Sequence, residues 1–124
     1  GYHVFAFWSS KYISIPAEGM DDETRTLSKR LGPHESEIFH VKPVTPDCPQ
    51  YVGSDMHFSC GYEVRSFEYT DESVEIEIKN DWKRRGYVYV YIPGVEGELT
   101  VTVNGESSES REAEVVARTA LRQV

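Results

Sequence analysis

The sequence predicts an all-β fold, an antiparallel β-sandwich, and three observations favour it. Strand-like segments, either alternating in polarity or rich in β-branched and aromatic residues, recur along the chain. Turn signals separate them about every eight to twelve residues, which is typical of sandwiches. Residues 74–103 alone contain three such segments joined by two turns. A chain of 124 residues can bury one core, so we expect a single domain.

Residues 74–103 predict a β-meander on which the rest of the chain packs. Val74, Ile76 and Ile78 alternate with charged residues, the pattern of a strand with one solvated face. Residues 87–92, YVYVYI, are apolar or aromatic on both faces. Turns that contain glycine or proline bound this segment at both ends.

The other elements follow the same signals. An acidic loop is predicted at residues 18–23, and prolines make residues 43–49 an extended connection rather than a central strand. Residues 70–73 and Asn104-Gly105 are predicted hairpin turns. The remaining predicted strands are residues 2–8, 12–15, 24–31, 36–44, 51–61 (irregular, with a bulge), 63–69 and 99–103. For residues 24–31 a short helix is the alternative, and a strand is favoured.

The tail differs in composition from the rest of the chain. We assign residues 1–106 to the sandwich and residues 107–124 to a polar linker and tail. Alanine, arginine and glutamate favour a short helix over residues 113–124, with apolar residues at helical spacing. A strand is the alternative there, and the sequence leaves both open.

Composition limits the partners and the compartment. The formal net charge of −8 argues against a nucleic acid or an anionic membrane as partner, since both carry phosphate charge. No apolar run is long enough to span a bilayer and no signal peptide opens the chain, so we expect a cytoplasmic protein. Cys48 and Cys60 are too few for a disulfide framework, and their pairing stays open. The start at Gly1 suggests a piece of a longer protein or a processed product.

Two sets of residues carry candidate chemistry. Zinc-ligand residue types occur at His40, Cys48, His57 and Cys60. The chain has no close CxxC or HxxxH pair, so we expect neither a metal nor a cofactor. Asp55 and His57 lie two apart, so they share a face on a strand and form a polar cluster beside nearby serines. No G-x-S-x-G motif accompanies them, and a small hydrolase built on this pair ranks last.

The strand at residues 87–92 also suggests an interaction surface. Tyr87, Tyr89 and Tyr91 lie on one face and aliphatic residues on the other, so this strand needs cover on both sides. A two-layer sandwich covers only one face. We therefore take the tyrosine face as a candidate docking surface, with solvated tyrosine hydroxyls as the alternative.

Several stretches together resemble the C-terminal β-sandwich of family 36 glycoside hydrolases, the group of α-galactosidases, raffinose synthases and seed imbibition proteins. The stretch VFAFWSS at residues 4–10 resembles the first strand after the catalytic barrel. The stretch LGPHESEIFHVKPV at residues 31–44 resembles a strand written L-x-P-x-E-x-E-V-F-x-V-x-P-V, and YVGSDMHF at residues 51–58 resembles a short glycine-containing strand. The resemblance covers about residues 1–105.

The resemblance implies a non-catalytic accessory domain that packs on and stabilises an upstream (β/α)8 barrel. The two catalytic aspartates of that family would belong to the barrel, so no catalytic residue is assigned here. The parent protein would act on α-galactosides in carbohydrate metabolism. The alternative is an independent carbohydrate-binding or protein-interaction β-sandwich module.

Overall fold

The computed structural model describes residues 1–17, 26–79, 85–95, 99–108, 111–116 and 119–123, and these residues form strands, turns and loops without a helix. The predicted all-β class is therefore confirmed. Within these residues no helix has the length and apolar character needed to cross a membrane. The strands are β1 Tyr2–Ala6, β2 Lys11–Ile15, β3 Phe39–Pro43, β4 Gln50–Ser54, β5 Val64–Tyr69, β6 Val74–Ile78, β7 Val88–Pro93, β8 Val101–Val103, β9 Glu106–Ser108, β10 Arg111–Val116 and β11 Thr119–Gln123.

Two antiparallel sheets face each other as a sandwich. The first has the order β2-β1-β3 and the second the order β10-β11-β7-β4. Aromatic contacts join them, because the ring of Phe5 lies 4.7 Å from that of Tyr89 and the ring of His3 lies 4.6 Å from that of Tyr91. The buried core cluster consists of Phe5, Phe7, Val52, Cys60, Tyr89 and Tyr91.

A hairpin covers the far side of the second sheet. Tyr51 and Val90 are directly paired between β4 and β7, so they share a face. Both are buried, and the Tyr51 ring lies 6.4 Å from Phe67 of β5, in the hairpin of β5 and β6. Strand β7 is thus covered by the first sheet on its tyrosine side, while the hairpin contributes cover on the side of Val90.

The predicted meander is wrong. β6 pairs with β5, β7 lies between β11 and β4, and β8 pairs with β9, so these three consecutive strands belong to three different sheets. The reason is burial. A strand that is apolar on both faces is most stable in the middle of a sheet that is covered on both sides. β7 therefore lies inside the second sheet, while β6 and β8, its half-solvated neighbours in sequence, pair elsewhere.

The predicted local turns are confirmed. β5 and β6 are joined by the turn at residues 70–73, where Thr70 N–H and Ser73 C=O form a 2.8 Å hydrogen bond. β8 and β9 are joined by Asn104 and Gly105, both with positive φ, as a two-residue hairpin loop requires. The predicted bulge is present, since the pairing register with β7 shifts within β4. The strand predicted over residues 51–61 nevertheless ends at Ser54, and residues 55–61 form bends and turns.

Three predictions concern other segments. The strand predicted at residues 24–31 is wrong for residues 26–31, which form no strand, and residues 24–25 lie outside the described part. The helix considered for residues 113–124 is wrong where the structure describes them, because they form parts of β10 and β11. The acidic loop at residues 18–23 lies outside the described residues, as do residues 80–84 in the polar, basic turn predicted just before residues 87–92.

Candidate functional site

The predicted tyrosine face is largely inside the molecule. Tyr89 and Tyr91 are buried against β1, while Tyr87 is 51% exposed before the start of β7. This chain itself covers the two buried rings. Only Tyr87 of the three is accessible to a partner, and it lies next to the loop that carries Asp55.

His3 is a buried structural histidine with a partner for each ring nitrogen. Its Nδ1 lies 2.8 Å from Oη of Tyr12, and its Nε2 lies 3.0 Å from Oε1 of Gln50. The Gln50 side chain also donates to the carbonyl of Pro43 and accepts from the N–H of Thr45, which joins β4 to the end of β3. Burial lowers the pKa of His3 against the opposing effect of the Gln50 hydrogen bond.

The sequence-predicted pair Asp55 and His57 lies in the loop after β4, and both residues line one open cleft. Asp55 fixes this loop to β7, because its Oδ1 accepts the Tyr87 N–H at 2.8 Å and its own N–H donates to the Tyr87 carbonyl. Nδ1 of His57 lies 2.7 Å from Ser59 Oγ and accepts the Ser59 N–H at 3.2 Å. These local bonds close a turn, which is a structural use of a histidine and a serine two apart.

Aromatic rings extend from this loop. The rings of Phe58 and Tyr62 lie 4.6 and 4.7 Å from the His57 ring, and Nζ of Lys79 lies 4.3 Å from the Tyr62 ring centroid. Phe58 and Tyr62 are each 58% exposed. Two aromatic residues that are more than half exposed therefore lie on one short loop, which makes the loop a candidate binding surface.

Buried polar groups hold the loop from below. Ser54 and Tyr51 donate to Oε1 of the fully buried Glu63, at 2.8 and 2.7 Å, and Ser54 Oγ also accepts the Met56 N–H. Oε2 of Glu63 is buried and has no hydrogen-bond partner among the described residues. From the first sheet, His40 of β3 contacts the carbonyl of Phe58 through Nε2 at 2.6 Å. The loop is thus tied to both sheets.

The turn between β1 and β2 forms the other side of the cleft. Trp8 is 61% exposed, with its ring 4.9 Å from that of Phe7. Glu37 fixes this turn, because its carboxylate accepts the Trp8 N–H at 2.8 Å and the Ser9 hydroxyl at 2.6 Å. Burial of the Glu37 carboxylate acts to raise its pKa, but hydrogen bonds from Ser9, Trp8 and Ile38 outweigh burial and the pKa is lowered.

The cleft between these two segments has a volume of about 510 Å³, within the range typical of small-molecule sites. Its described lining combines apolar, aromatic and polar groups. These residues are Phe7, Trp8, Ser10, Asp55, Met56, His57 and Phe58.

A second accessible surface lies on the outer side of the first sheet. Cross-strand partners share a face, so Tyr2 stands in a row with Ile15 and Pro43, and Val4 in a row with Ile13 and Val41. Every member of both rows is apolar or aromatic. Val4 is buried, but Tyr2 is exposed and Val41 is 54% exposed. Part of an apolar face is therefore open to solvent.

Cys48 and Cys60 are free thiols, and no group of three or more His, Cys, Asp or Glu side chains among the described residues is arranged to hold a metal ion. The zinc-ligand types identified in the sequence are therefore used otherwise. His40 contacts the Phe58 carbonyl, and the Cys60 thiol donates to the Ser54 carbonyl at 3.5 Å.

Sequence reasoning missed the residues that shape the cleft. The sequence predicts Trp8 at the end of a buried strand and Phe58 within an irregular strand. The available signal was an aromatic residue directly before or inside a turn, where burial is hardest to achieve. Glu63 gave no signal, because a glutamate at the start of an alternating strand is ordinarily solvated.

Comparisons with protein-family models, with curated proteins and with solved structures find no match to this chain.

Proposed function

We propose that this chain is a non-catalytic β-sandwich domain of an α-galactosidase-like, raffinose synthase-like glycoside hydrolase. It packs on an upstream (β/α)8 barrel and stabilises it. The sequence resemblance suggests this role, and the outer face of the first sheet is the observation that supports it. The exposed part of that face, at Tyr2 and Val41, provides apolar surface suited to contact with another domain.

The position of the apolar rows fits this arrangement. An upstream barrel would be joined at Gly1, whose carbonyl accepts the Val44 N–H at 3.0 Å. Gly1 therefore lies at the edge where Tyr2 pairs with Ile15 and Pro43. A partner joined there could cover the exposed side chains of Tyr2 and Val41 without a long linker.

The first test is to read the gene in frame upstream of Gly1. The proposal expects alternating strands and helices with aspartates at the ends of two barrel strands. A start codon immediately before Gly1 would remove the barrel and overturn the proposal.

The docking face has its own test. The barrel and this domain, expressed as separate chains, should associate, and Val41→Asp should weaken that association by at least about tenfold because it places a charge in an apolar interface. Val103→Asp is the matched control, since Val103 is 50% exposed on β8. Equal effects of the two substitutions would contradict docking through the first sheet.

The alternative is an independent carbohydrate-binding or protein-interaction module, and the aromatic cleft at Trp8 and Phe58 favours it. The two functions use different surfaces.

The proposal also includes a cytoplasmic location, because the free thiols Cys48 and Cys60 suit a reducing compartment. Fractionation of cells that produce the protein checks this, and recovery in a secreted fraction would contradict it.

A further inference from the structure

Most edge strands in the described part of the chain carry a feature that discourages pairing with another chain. An edge strand exposes unpaired backbone N–H and C=O groups, and proteins protect such edges with lysine, proline, bulges or short strands. The first sheet ends at β2, which contains Lys11, and at β3, which contains Lys42 and Pro43. The second sheet ends at β10 and β4, and each has one extra residue, a bulge, within its paired stretch. β8 and β9 have three residues each.

β6 has none of these protective features. It has five residues, Val74–Ile78, without lysine or proline, and the extra residue in the pair of β5 and β6 belongs to β5. The Ser73 carbonyl accepts a backbone hydrogen bond at 2.8 Å and the Lys79 N–H donates one at 2.6 Å, both with residues that flank β5. Backbone groups of successive residues point to opposite sides of an antiparallel strand. The outward backbone groups of β6 therefore belong to Val74, Ile76 and Ile78.

The outer edge of β6 has no neighbouring strand in the described part of the chain. β5 is the strand paired with β6 there, and no backbone hydrogen bond to the outward groups of β6 is present among these residues. The hairpin is attached through β5, whose Phe67 ring lies 6.4 Å from Tyr51 and whose Tyr69 hydroxyl interacts with Cys48. The N–H and C=O groups along this regular edge are thus available to an added strand.

The charge of β6 favours a basic partner. Glu75 and Glu77 are exposed on the face of the hairpin opposite to the half-buried Ile76. Glu75 is paired directly with Glu68 of β5, and like charges in this position repel each other. Glu77 forms an ion pair with Arg65 at 3.6 Å, but both side chains are exposed, so the pair contributes little. A lysine or arginine on an added strand would therefore meet carboxylates that the hairpin leaves poorly neutralised.

The same charge disfavours pairing of β6 with a second copy of the chain. An antiparallel pair of two β6 strands centred on Ile76 places Glu75 of one copy opposite Glu77 of the other. Like charges directly opposite each other destabilise a sheet. The edge therefore discriminates between partners by charge, which is how specific interfaces exclude unwanted partners.

We propose that β6 is the docking edge for an extended basic segment of another protein, which adds one antiparallel strand to the hairpin. The segment places lysine or arginine opposite Glu75 and Glu77 and apolar residues opposite Val74, Ile76 and Ile78. Hydrogen bonds to the backbone supply affinity, and the alternating side chains supply specificity. The formal net charge of −8 attracts a basic segment over a longer range.

This inference goes beyond the docking of a barrel and does not depend on it. The proposed domain contact uses Tyr2 and Val41 on the outer face of the first sheet, whereas the hairpin lies on the far side of the second sheet. The aromatic cleft at Trp8 and Phe58 is a third surface. A failure of peptide binding leaves the domain contact unaffected, and the reverse also holds.

The test is a titration of the full chain into a fluorescein-labelled, C-terminally amidated peptide with the core sequence Val-Lys-Val-Lys-Val, followed by fluorescence anisotropy. We expect a Kd on the order of 100 μM at low salt, because a short peptide must become ordered when it binds. In two-dimensional NMR spectra, the amide shifts that the peptide causes should concentrate at residues 74–78.

Two matched peptides separate charge from backbone pairing. In the first, glutamate replaces both lysines. In the second, proline replaces the central valine and removes the N–H that faces Ile76, while both lysines stay. Each peptide should bind at least about tenfold more weakly than the lysine peptide.

Two variants with matched controls test the edge itself. Ile76→Pro removes an outward N–H that takes no part in the pairing with β5, so the hairpin should form while peptide binding falls by about tenfold or more. Ile76→Ala keeps this N–H, controls for the loss of the side chain and should leave the Kd within about threefold. Glu75→Lys should weaken binding by about fivefold or more, whereas Glu35→Lys, an equal charge change at an exposed loop residue, should stay within about twofold. Circular dichroism confirms that each variant is folded.

The proposal is overturned if the lysine peptide does not bind at about ten times the expected Kd, or if its shifts lie outside residues 74–78. Equal binding by the proline-containing peptide, or by folded Ile76→Pro, also overturns it, because backbone pairing would then play no part. Equal effects of Glu75→Lys and Glu35→Lys would show a non-specific attraction to the acidic chain and overturn it as well. If Ile76→Pro does not fold, the proline-containing peptide and Glu75→Lys decide the question.

Discussion

Gly53 of β4 leaves room for the ring of Phe5 where the two sheets face each other. A Cβ atom at position 53 would lie 2.6 Å from Cδ1 and 2.7 Å from Cγ of Phe5. Carbon atoms in comfortable contact are about 3.5–4.0 Å apart, so Gly53→Ala must separate the two strands or displace the ring by about 1 Å. Phe5 is fully buried and already contacts Tyr89, which leaves the ring little space to move.

We therefore expect Gly53→Ala to lower the free energy of unfolding by about 1–3 kcal/mol, the usual cost of overpacking a core. In urea, with a slope of about 1–3 kcal/mol per M, the midpoint should fall by about 1 M. The measurement is urea denaturation followed by circular dichroism. Gly61→Ala is the control, because within the described part of the chain the nearest atom to a Cβ there is the Ser59 carbonyl oxygen at 3.8 Å, and the effect should stay within about 0.5 kcal/mol.

A second variant identifies Phe5 as the cause. Phe5→Ala removes Cγ and Cδ1, the two ring atoms that the methyl group introduced by Gly53→Ala would strike. The double variant should therefore be more stable than the sum of the single effects predicts, by about 0.5–3 kcal/mol. Equal costs for Gly53→Ala and Gly61→Ala, or strictly additive effects in the double variant, would refute the close approach of the two sheets at this point.

Two further predictions concern buried titratable groups. Burial lowers the pKa of His3 below its usual value of about 6.5, so the unfolded chain takes up a proton at higher pH than the folded one, and the free energy of unfolding should decrease as the pH falls below about 6.5. His3→Gln should flatten this decrease in urea denaturation between pH 7 and about 5, and an unchanged slope would contradict the assignment. Burial raises the pKa of the Cys60 thiol to about 11, so a thiol reagent at pH 8 should modify the half-buried Cys48 first. Cys48→Ser and Cys60→Ser assign the two rates, and faster modification of Cys60, or the absence of free thiol, would disprove this.

Local features of the fold could be predicted from the sequence because short-range chemistry determines them. The alternation of Val74, Ile76 and Ile78 with glutamates gives the half-buried and exposed pattern of β6. Asn-Gly at residues 104–105 tolerates the positive φ values of a two-residue hairpin loop, so the predicted turn is present between β8 and β9. Neither feature depends on a distant part of the chain.

Strand partners and the cleft could not be predicted in this way. β7 lies between β4 and β11, which are far from it in sequence, and the alternation of β7 carries no information about which neighbours it chooses. Lys42 of β3 pairs with His3 of β1, and its Nζ donates to the Tyr51 carbonyl of β4, a contact between the two sheets that the strand pattern does not indicate. The cleft likewise depends on bringing residue 8 close to residue 58, which only the tertiary fold does.

An apolar strand with no polar face has two physical explanations, cover by a partner and cover by its own chain. The tyrosine strand has the second explanation, because β1 packs on Tyr89 and Tyr91 while the hairpin of β5 and β6 reaches Tyr51 on the opposite face. β1 is different at one end, since the row of Tyr2 and the neighbouring Val41 leave apolar surface exposed. The same sequence pattern therefore marks a central strand in one place and an open face in the other. For that reason the docking proposal rests on Tyr2 and Val41 rather than on the tyrosines of β7.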